Sequence, residues 1–260
     1  MNLAGAHVVV TGGSSGIGLE AARESLQRGA RVSILARDRD RLAAAAEELG
    51  EVTALSVDVT DRAAVHDAFE TLDPCDGLIT CAGMVEPGLF LEQSHDVRVA
   101  HLTQNYLGTL HAVEAAVPGM AARRRGAIVG VASAAVLVGG PGYSGYGASK
   151  HAMRGLLEAL RAELAPLGIT VGCAFPPDTA TPMLDYEQPR KPVETKAVTG
   201  AIKPLSAARV GRSIVDGLES GHAQVFVDAR TWVLARIGAC VPRALNWFID
   251  RRVGRVACSG

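Results

Sequence analysis

A single doubly wound parallel α/β sheet with helices on both faces is the fold the sequence predicts. Three observations predict it. Strand-like and helix-like stretches alternate along the chain, as βα units of a parallel sheet do. Runs such as Val8-Val9-Val10 are apolar at consecutive positions, as in strands covered on both sides. A glycine-rich turn joins the first strand-like run to the first helical one.

The elements follow in order. Ala6–Thr11 is rich in β-branched residues and reads as a strand, and Ile17–Gln27 has helical apolar spacing. Arg31–Ala36 is a second strand, Arg39–Leu49 a helix, Val52–Val57 a strand and Ala63–Leu72 a helix. Gly77–Cys81 is a short apolar strand, and a long helical region covers Asp96–Arg123. Ala127–Ala132 reads as strand, Gly145–Pro166 as helix and Thr170–Phe175 as strand. A Pro-rich loop follows, then a helix over Ala207–Glu219 and a last strand at Gln224–Val227. Right-handed crossovers make such a sheet doubly wound. Nothing marks a boundary inside residues 1–228, which read as one domain, followed by a compositionally distinct tail over residues 229–260.

The chain has 260 residues, 48% of them apolar, with a net charge of −1, so it is long and apolar enough for a large buried core. That balance gives no basic field for nucleic acid. The five cysteines are scattered without C-x-x-C, and the seven histidines form no H-E-x-x-H, so neither a disulfide framework nor a metal site is expected. Met1–His7 lacks a basic leader region, and a cytoplasmic location is the expectation.

Thr11-Gly12-Gly13-Ser14-Ser15-Gly16-Ile17-Gly18 lies between a strand and a helix. Glycines allow a close backbone approach, and the helix N-terminus offers free N–H groups to a pyrophosphate. The spacing G-x-x-x-G-x-G differs from G-x-G-x-x-G. No Lys completes a phosphate loop. Gly12-Gly13-Ser14-Ser15-Gly16 also fits the hydrolase pattern G-x-S-x-G, with Ser14 as nucleophile, but that elbow belongs later in a hydrolase sheet. The second strand ends at Ala36, where an acid would hold a ribose 2′-hydroxyl, and Arg37 follows. A planar, permanently charged fork suits a 2′-phosphate, which points to NADPH. The other reading has Arg37 solvated and Asp38 turned inward on NADH.

Tyr146 and Lys150 stand at i and i+4 at a helix start and share one face. A nearby ammonium lowers a phenol pKa from about 10, so Lys150 is expected to tune Tyr146 as a general acid. Ser133, at a strand end, can hydrogen-bond a reacting carbonyl oxygen. His151, one position on, faces elsewhere.

With these residues in view, the chain resembles the short-chain dehydrogenase/reductase family over roughly residues 3–228. The likeness rests on the Thr11–Gly18 turn, Asp58-Val59, Cys81-Ala82-Gly83, Asn105, Ser133, Tyr146, Lys150 and the Pro176 segment. It implies a Rossmann-type fold holding NADPH/NADP+ through Gly12, Ser14, Ser15, Gly16, Ile17, Gly18, Arg37, Asp58, Val59, Ala82, Gly83, Tyr146, Lys150, Pro176, Thr179 and Thr181. It implies that Asp58 bonds the adenine and that Lys150 also holds the nicotinamide ribose. By the same likeness, Asn105 binds a relay water, and Thr179 and Thr181 cap the carboxamide and phosphates. Two departures stand out: Thr80-Cys81-Ala82-Gly83 replaces Asn-Asn-Ala-Gly, and Pro176-Pro177-Asp178-Thr179 replaces Pro-Gly. The resemblance implies hydride transfer to a ketone, giving a secondary alcohol, with substrate contacts from Val136–Tyr143 and Met183–Pro204.

Asn105–Thr109, Arg154–Leu156, Pro176–Pro182 and Lys191–Thr195 are similar to the branch of the family that reduces long-chain sphingoid ketones such as 3-ketodihydrosphingosine at the cytosolic face of a membrane. Another acyl, steroid or small carbonyl substrate is the alternative, and a non-catalytic NADPH-binding scaffold is the alternative of another class. The family also implies a homodimer or homotetramer. Residues 229–260 carry six Arg against one acid, Asp250, and both tryptophans, Trp232 and Trp247. A basic stretch with aromatic and aliphatic residues suits a membrane surface, while Gly238 and Pro242 break any single spanning helix. A packed C-terminal helix, a subunit contact and a lid on the substrate cleft are its other readings.

Overall fold

β1 (His7–Thr11) is the strand around which the computed structural model is organised; the structure describes residues 1–200, 203–238 and 240–257. Ala201 and Ile202 of the expected substrate loop, and Ala239 and Cys258–Gly260 of the tail, lie outside the described residues.

The first half runs α1 (Gly16–Gln27), β2 (Arg31–Ala36), α2 (Arg39–Leu49), β3 (Val52–Ser56), α3 (Arg62–Thr71) and β4 (Gly77–Thr80). The second half runs α4 (His95–His101), α5 (Gly108–Arg123), β5 (Gly126–Val131), α6 (Ser144–Leu164) and β6 (Ile169–Ala174). Then come β7 (Thr179–Ala180), α7 (Pro182–Glu187), α8 (Val193–Thr199), β8 (Leu205–Ser206), α9 (Ala207–Ser220), β9 (Gln224–Val225), α10 (Ala229–Ile237) and α11 (Pro242–Ala257). The main sheet has the order β3-β2-β1-β4-β5-β6-β9, every pair parallel. The connections turn opposite ways on the two sides of the β1–β4 pair, which opens a crevice beyond the carboxyl ends of those strands.

The consecutive apolar residues of β1 divide between two buried layers, because side chains alternate across a strand. Val8 and Val10 pack with Ala21, Ala22, Ile214 and Leu218 on one face. Val9 packs with Val65, Ala116, Met153 and Leu157 on the other. Helices on both faces therefore explain why the strand has no polar side.

Two features differ from the sequence expectation, and a third follows it. The Asp96–Arg123 region is helical throughout, but residues Leu102–Leu107 form a π-helical stretch between α4 and α5. The Pro-rich segment after β6 holds two short helices, α7 and α8, and a two-stranded parallel sheet of β7 with β8. The tail folds as two helices that part at Gly238 and Pro242, where the residue types foretold a break. Among the described residues no helix is long and apolar enough to cross a membrane.

Candidate active site

The crevice at the β1–β4 switch point is a cleft of about 760 Å³. Its floor at one end is the glycine turn. Gly12 has φ +71°, and a Cβ there would lie 2.7 Å from the backbone nitrogen of Ala82. A Cβ on Gly18 would lie 2.2 Å from the carbonyl oxygen of Gly12. Glycine at both positions lets the turn fold flat against the end of β4. Ser15 precedes α1 in extended conformation with no side-chain cap, and the first turn of α1 carries no acid. The N-terminal N–H groups and the positive end of the helix dipole thus face the cleft without an internal anion. Together, the cradle and the uncapped terminus fit a dinucleotide diphosphate.

The far edge of this end is basic. Arg37 and Arg41 line the cleft, and the Arg37 side chain is 73% exposed. Asp38 also lies there, but its carboxylate accepts from the Arg41 amide at 3.0 Å and caps α2. That acid is therefore engaged by its own helix rather than turned in on a ribose. Arg41 was not among the residues expected from the sequence; its place one turn after Arg37 was the available signal.

The Asp58 carboxylate has partners within the protein. Its Oδ1 accepts from the amide and hydroxyl of Thr60 at 2.9 and 2.8 Å, and its Oδ2 pairs with Arg37 at 3.5 Å. Partial burial pushes the carboxyl up, but Thr60 and Arg37 outweigh it and hold it below the ordinary carboxylate value. Its neighbours Val57 and Val59 line the cleft, while the Asp58 carboxylate is turned to Thr60 and Arg37.

In the middle of the cleft, β5 delivers Ser133 and the start of α6 delivers Tyr146 and Lys150. Ser133 leads into a short 3₁₀ turn, with its Oγ accepting from the Ala135 amide at 3.1 Å. Burial pushes the Tyr146 phenol up to about 12; a hydrogen bond with Ser133 works the other way, and Glu187 and Asp178 add to the rise. Lys150 is buried and donates to the Val131 carbonyl at 2.8 Å, with its Nζ 6.0 Å from the Tyr146 ring centre. Burial lowers Lys150 to about 8. The expectation that Lys150 depresses the Tyr146 pKa is therefore corrected: the ammonium bonds to the strand carbonyl, and burial dominates the phenol. The site holds a protonated phenol next to a serine hydroxyl, which is the equipment of a proton donor.

Asn105 sits in the π-helical stretch and is fully buried. Its Oδ1 accepts from the Met84 amide at 2.8 Å, and its Nδ2 donates to the Met84 carbonyl at 3.1 Å and to Ser149 Oγ at 2.9 Å. The side chain clamps the loop after β4 to α6, and protein groups take up its amide hydrogens, so the side chain has a positioning role. Its neighbour Gln104, not Asn105, lines the cleft. A Cβ on Gly83 would come 2.8 Å from Asn105 Oδ1, which explains a glycine there.

Ser14, Ser15, Gly16, Ile17, Ala82, Gly83, Pro176, Thr179 and Thr181 all line the cleft. The Thr179 and Thr181 hydroxyls donate to the carbonyls of Pro177 and Thr179, at 2.7 and 3.1 Å. Thr181 also caps α7. Burial pushes the Cys81 thiol up to about 12, so it packs as a neutral residue. Leu234 of α10 and Leu245 and Ile249 of α11 also line the cleft, so the tail forms part of its wall.

The family model described as short chain dehydrogenase matches residues 6–192. The chain is 36% identical to a 3-ketodihydrosphingosine reductase of Dictyostelium discoideum, over 90% of this chain and 78% of that protein. It is 39% identical to a 3-dehydrosphinganine reductase of Danio rerio, over 81% of this chain and 68% of that protein. Among solved structures it is similar to a short chain dehydrogenase from Burkholderia cenocepacia in complex with NADP. That likeness has a TM-score of 0.83 at 25% identity, over 96% of this chain and 99% of that one.

Proposed function

The chain belongs to the short chain dehydrogenase family, and we propose that it reduces 3-ketodihydrosphingosine, or a closely similar long-chain amino ketone, to the secondary alcohol with NADPH. It is an NADP-dependent oxidoreductase acting on C=O and CH–OH groups. The observation that carries the substrate reading is the continuity of one cleft. The same cleft is lined by the uncapped N-terminus of α1, by Ser133, Tyr146 and Lys150, and by the apolar side chains of Leu234, Leu245 and Ile249.

The Gly12–Gly18 turn and α1 hold the diphosphate, Arg37 and Arg41 the 2′-phosphate, and Pro176, Thr179 and Thr181 the nicotinamide end. NADPH supplies the hydride when bound. Tyr146 donates its phenolic proton to the carbonyl oxygen as charge develops there, and Ser133 hydrogen-bonds the same oxygen. Lys150 keeps a positive charge near the phenol, and Asn105 holds the loop and helix that set these groups in register.

The test is initial rates of NADPH absorbance loss with the long-chain amino ketone, beside a short β-ketoacyl ester and a steroid ketone. Turnover confined to the others would keep the family chemistry and overturn the substrate. The same assay carries a pH prediction. Lys150 is lowered to about 8 by burial, so its ammonium is present below that pH and lost above it. Tyr146, near 12, stays protonated across the range. For ketone reduction, kcat/KM is expected to be level below about pH 7 and to fall toward tenfold per pH unit above about 8. A profile level to about pH 10 would remove the ammonium from the mechanism.

The tail supports peripheral contact with an anionic membrane surface. Leu234, Leu245 and Ile249 line the cleft, while Trp232, Ile237, Trp247 and Phe248 are exposed, on helices carrying six Arg and one Asp. A long-chain ketone could then pass from bilayer to cleft under the same two helices. Replacing Trp232, Trp247 and Phe248 by Ser in the full chain is expected to release it from phosphatidylserine vesicles in a sedimentation assay. Undiminished sedimentation would refute the contact.

A further inference from the structure

The cleft carries charges that the proton-transfer chemistry leaves unused. Asp178, Glu187 and Tyr143 line it together with Tyr146. Lys191 stands behind the two acids with its side chain 1% exposed, its Nζ 3.1 Å from Asp178 Oδ2 and 3.2 Å from Glu187 Oε1. The Tyr143 hydroxyl donates to the same Glu187 oxygen. Tyr143 in turn packs beside Tyr146, ring centres 5.8 Å apart.

Two features of this cluster call for a cation. One ammonium, Lys191, is shared by two carboxylates, so this cluster by itself carries a net negative charge on the cleft wall. Glu187, 8% exposed, is met by both Lys191 and Tyr143, whereas the Asp178 carboxylate has, among the described residues, only the shared Lys191, so the unbalanced charge of the pair is costly where the cleft excludes water. Second, the charge lies one aromatic ring from the phenol that would protonate the carbonyl. Both acids are close enough to oppose ionisation of Tyr146. Lys191 and Tyr143 engage Asp178 Oδ2 and Glu187 Oε1, and both acids also line the cleft.

We propose that Glu187 and Asp178 receive the ammonium group of the substrate, selecting ketones that bear a protonated amine on the carbon next to the carbonyl. This rests on the ketone-reductase reading above. In 3-ketodihydrosphingosine the amine is on that neighbouring carbon, so a carbonyl at Tyr146 and Ser133 brings the ammonium to the wall that carries Glu187. The arriving cation balances the cluster and also eases the developing charge near Tyr146. Glu187 and Asp178 are thus specificity-determining residues, and Lys191 and Tyr143 position them.

The experiment compares kcat/KM for the amino ketone with that for the same chain length lacking the amine, using NADPH and the full-length enzyme. A charge-assisted contact predicts a preference for the amine of roughly 10- to 100-fold. In Glu187→Gln and, separately, Asp178→Asn, the ratio is expected to fall toward one, with the loss mainly in KM. Because the readout is a ratio, a general loss of activity in a poorly folded variant does not mimic the result. Equal kcat/KM for the two ketones in the unmodified enzyme overturns the inference while leaving the reductase reading standing. A ratio unchanged in both variants overturns it as well. Turnover of neither ketone by the NADPH-loaded enzyme overturns the reductase reading, and this inference with it.

Discussion

Tyr146→Phe is expected to lower kcat for ketone reduction by roughly 10²- to 10⁴-fold, the range a positioned proton donor supplies. NADPH binding should survive, because the glycine turn, Arg37 and Arg41 lie at the other end of the cleft. The substitution removes only the hydroxyl. The ring's packing against Tyr143 and edge-on against His101 is kept, so the fold has no cavity to absorb. The phenol is pushed up to about 12, so it enters the reaction as a neutral acid able to give its proton. Stopped-flow measurement of NADPH oxidation, paired with a fluorescence titration of NADPH, separates chemistry from binding. Retained turnover with unchanged binding would reassign the proton donor, and Ser133 would be the next group to test.

The contrast between this phenol and its lysine shows what spacing alone conveys. An i, i+4 pair on a helix start correctly places Tyr146 and Lys150 on one wall, since helix geometry fixes the side they share. It does not fix where a flexible ammonium ends. The Val131 carbonyl, brought by a strand nineteen residues away, takes that ammonium, and burial then governs both groups. The sheet was legible for a similar reason: Val8-Val9-Val10 requires two covered faces, and the glycine turn requires a tight β-to-α connection. The β7–β8 pair was not legible, because two-residue strands have no periodicity. Neither was the π-helical stretch, whose Leu-Thr-Gln-Asn-Tyr-Leu sequence is unremarkable for an α-helix. The contact of Lys191 with Asp178 spans thirteen residues and depends on α7 folding back, so no local pattern announces it. Asp58 shows the converse. Its position matches the family pattern, yet Thr60, two residues on, engages its carboxylate.

Arg37→Glu is expected to raise the KM for NADPH by roughly 100-fold while changing the KM for NADH by far less. A guanidinium bonding a phosphate is a charge-assisted, frequently bidentate contact worth about 1.5–3 kcal/mol, and reversing the charge adds repulsion to its loss. The position tolerates the change: the side chain is 73% exposed, so little packing is lost. Its ion pair among the described residues is the 3.5 Å contact with Asp58, an exposed pair that contributes little to stability. The substitution also puts a second acid beside Asp58, so the ordinary carboxylate range of that group should be partly restored, because Arg37 is among the groups that lower it. Arg41 remains on the same rim and keeps some attraction for the 2′-phosphate, which makes Arg37→Glu/Arg41→Ala the more complete variant. Asp38 adds little to NADH binding while it caps α2, so the single change should weaken NADPH more than it improves NADH. Steady-state kinetics with both cofactors read the outcome directly. Equal losses for NADPH and NADH would place the 2′-phosphate away from this rim and return Arg37 to a solvated role.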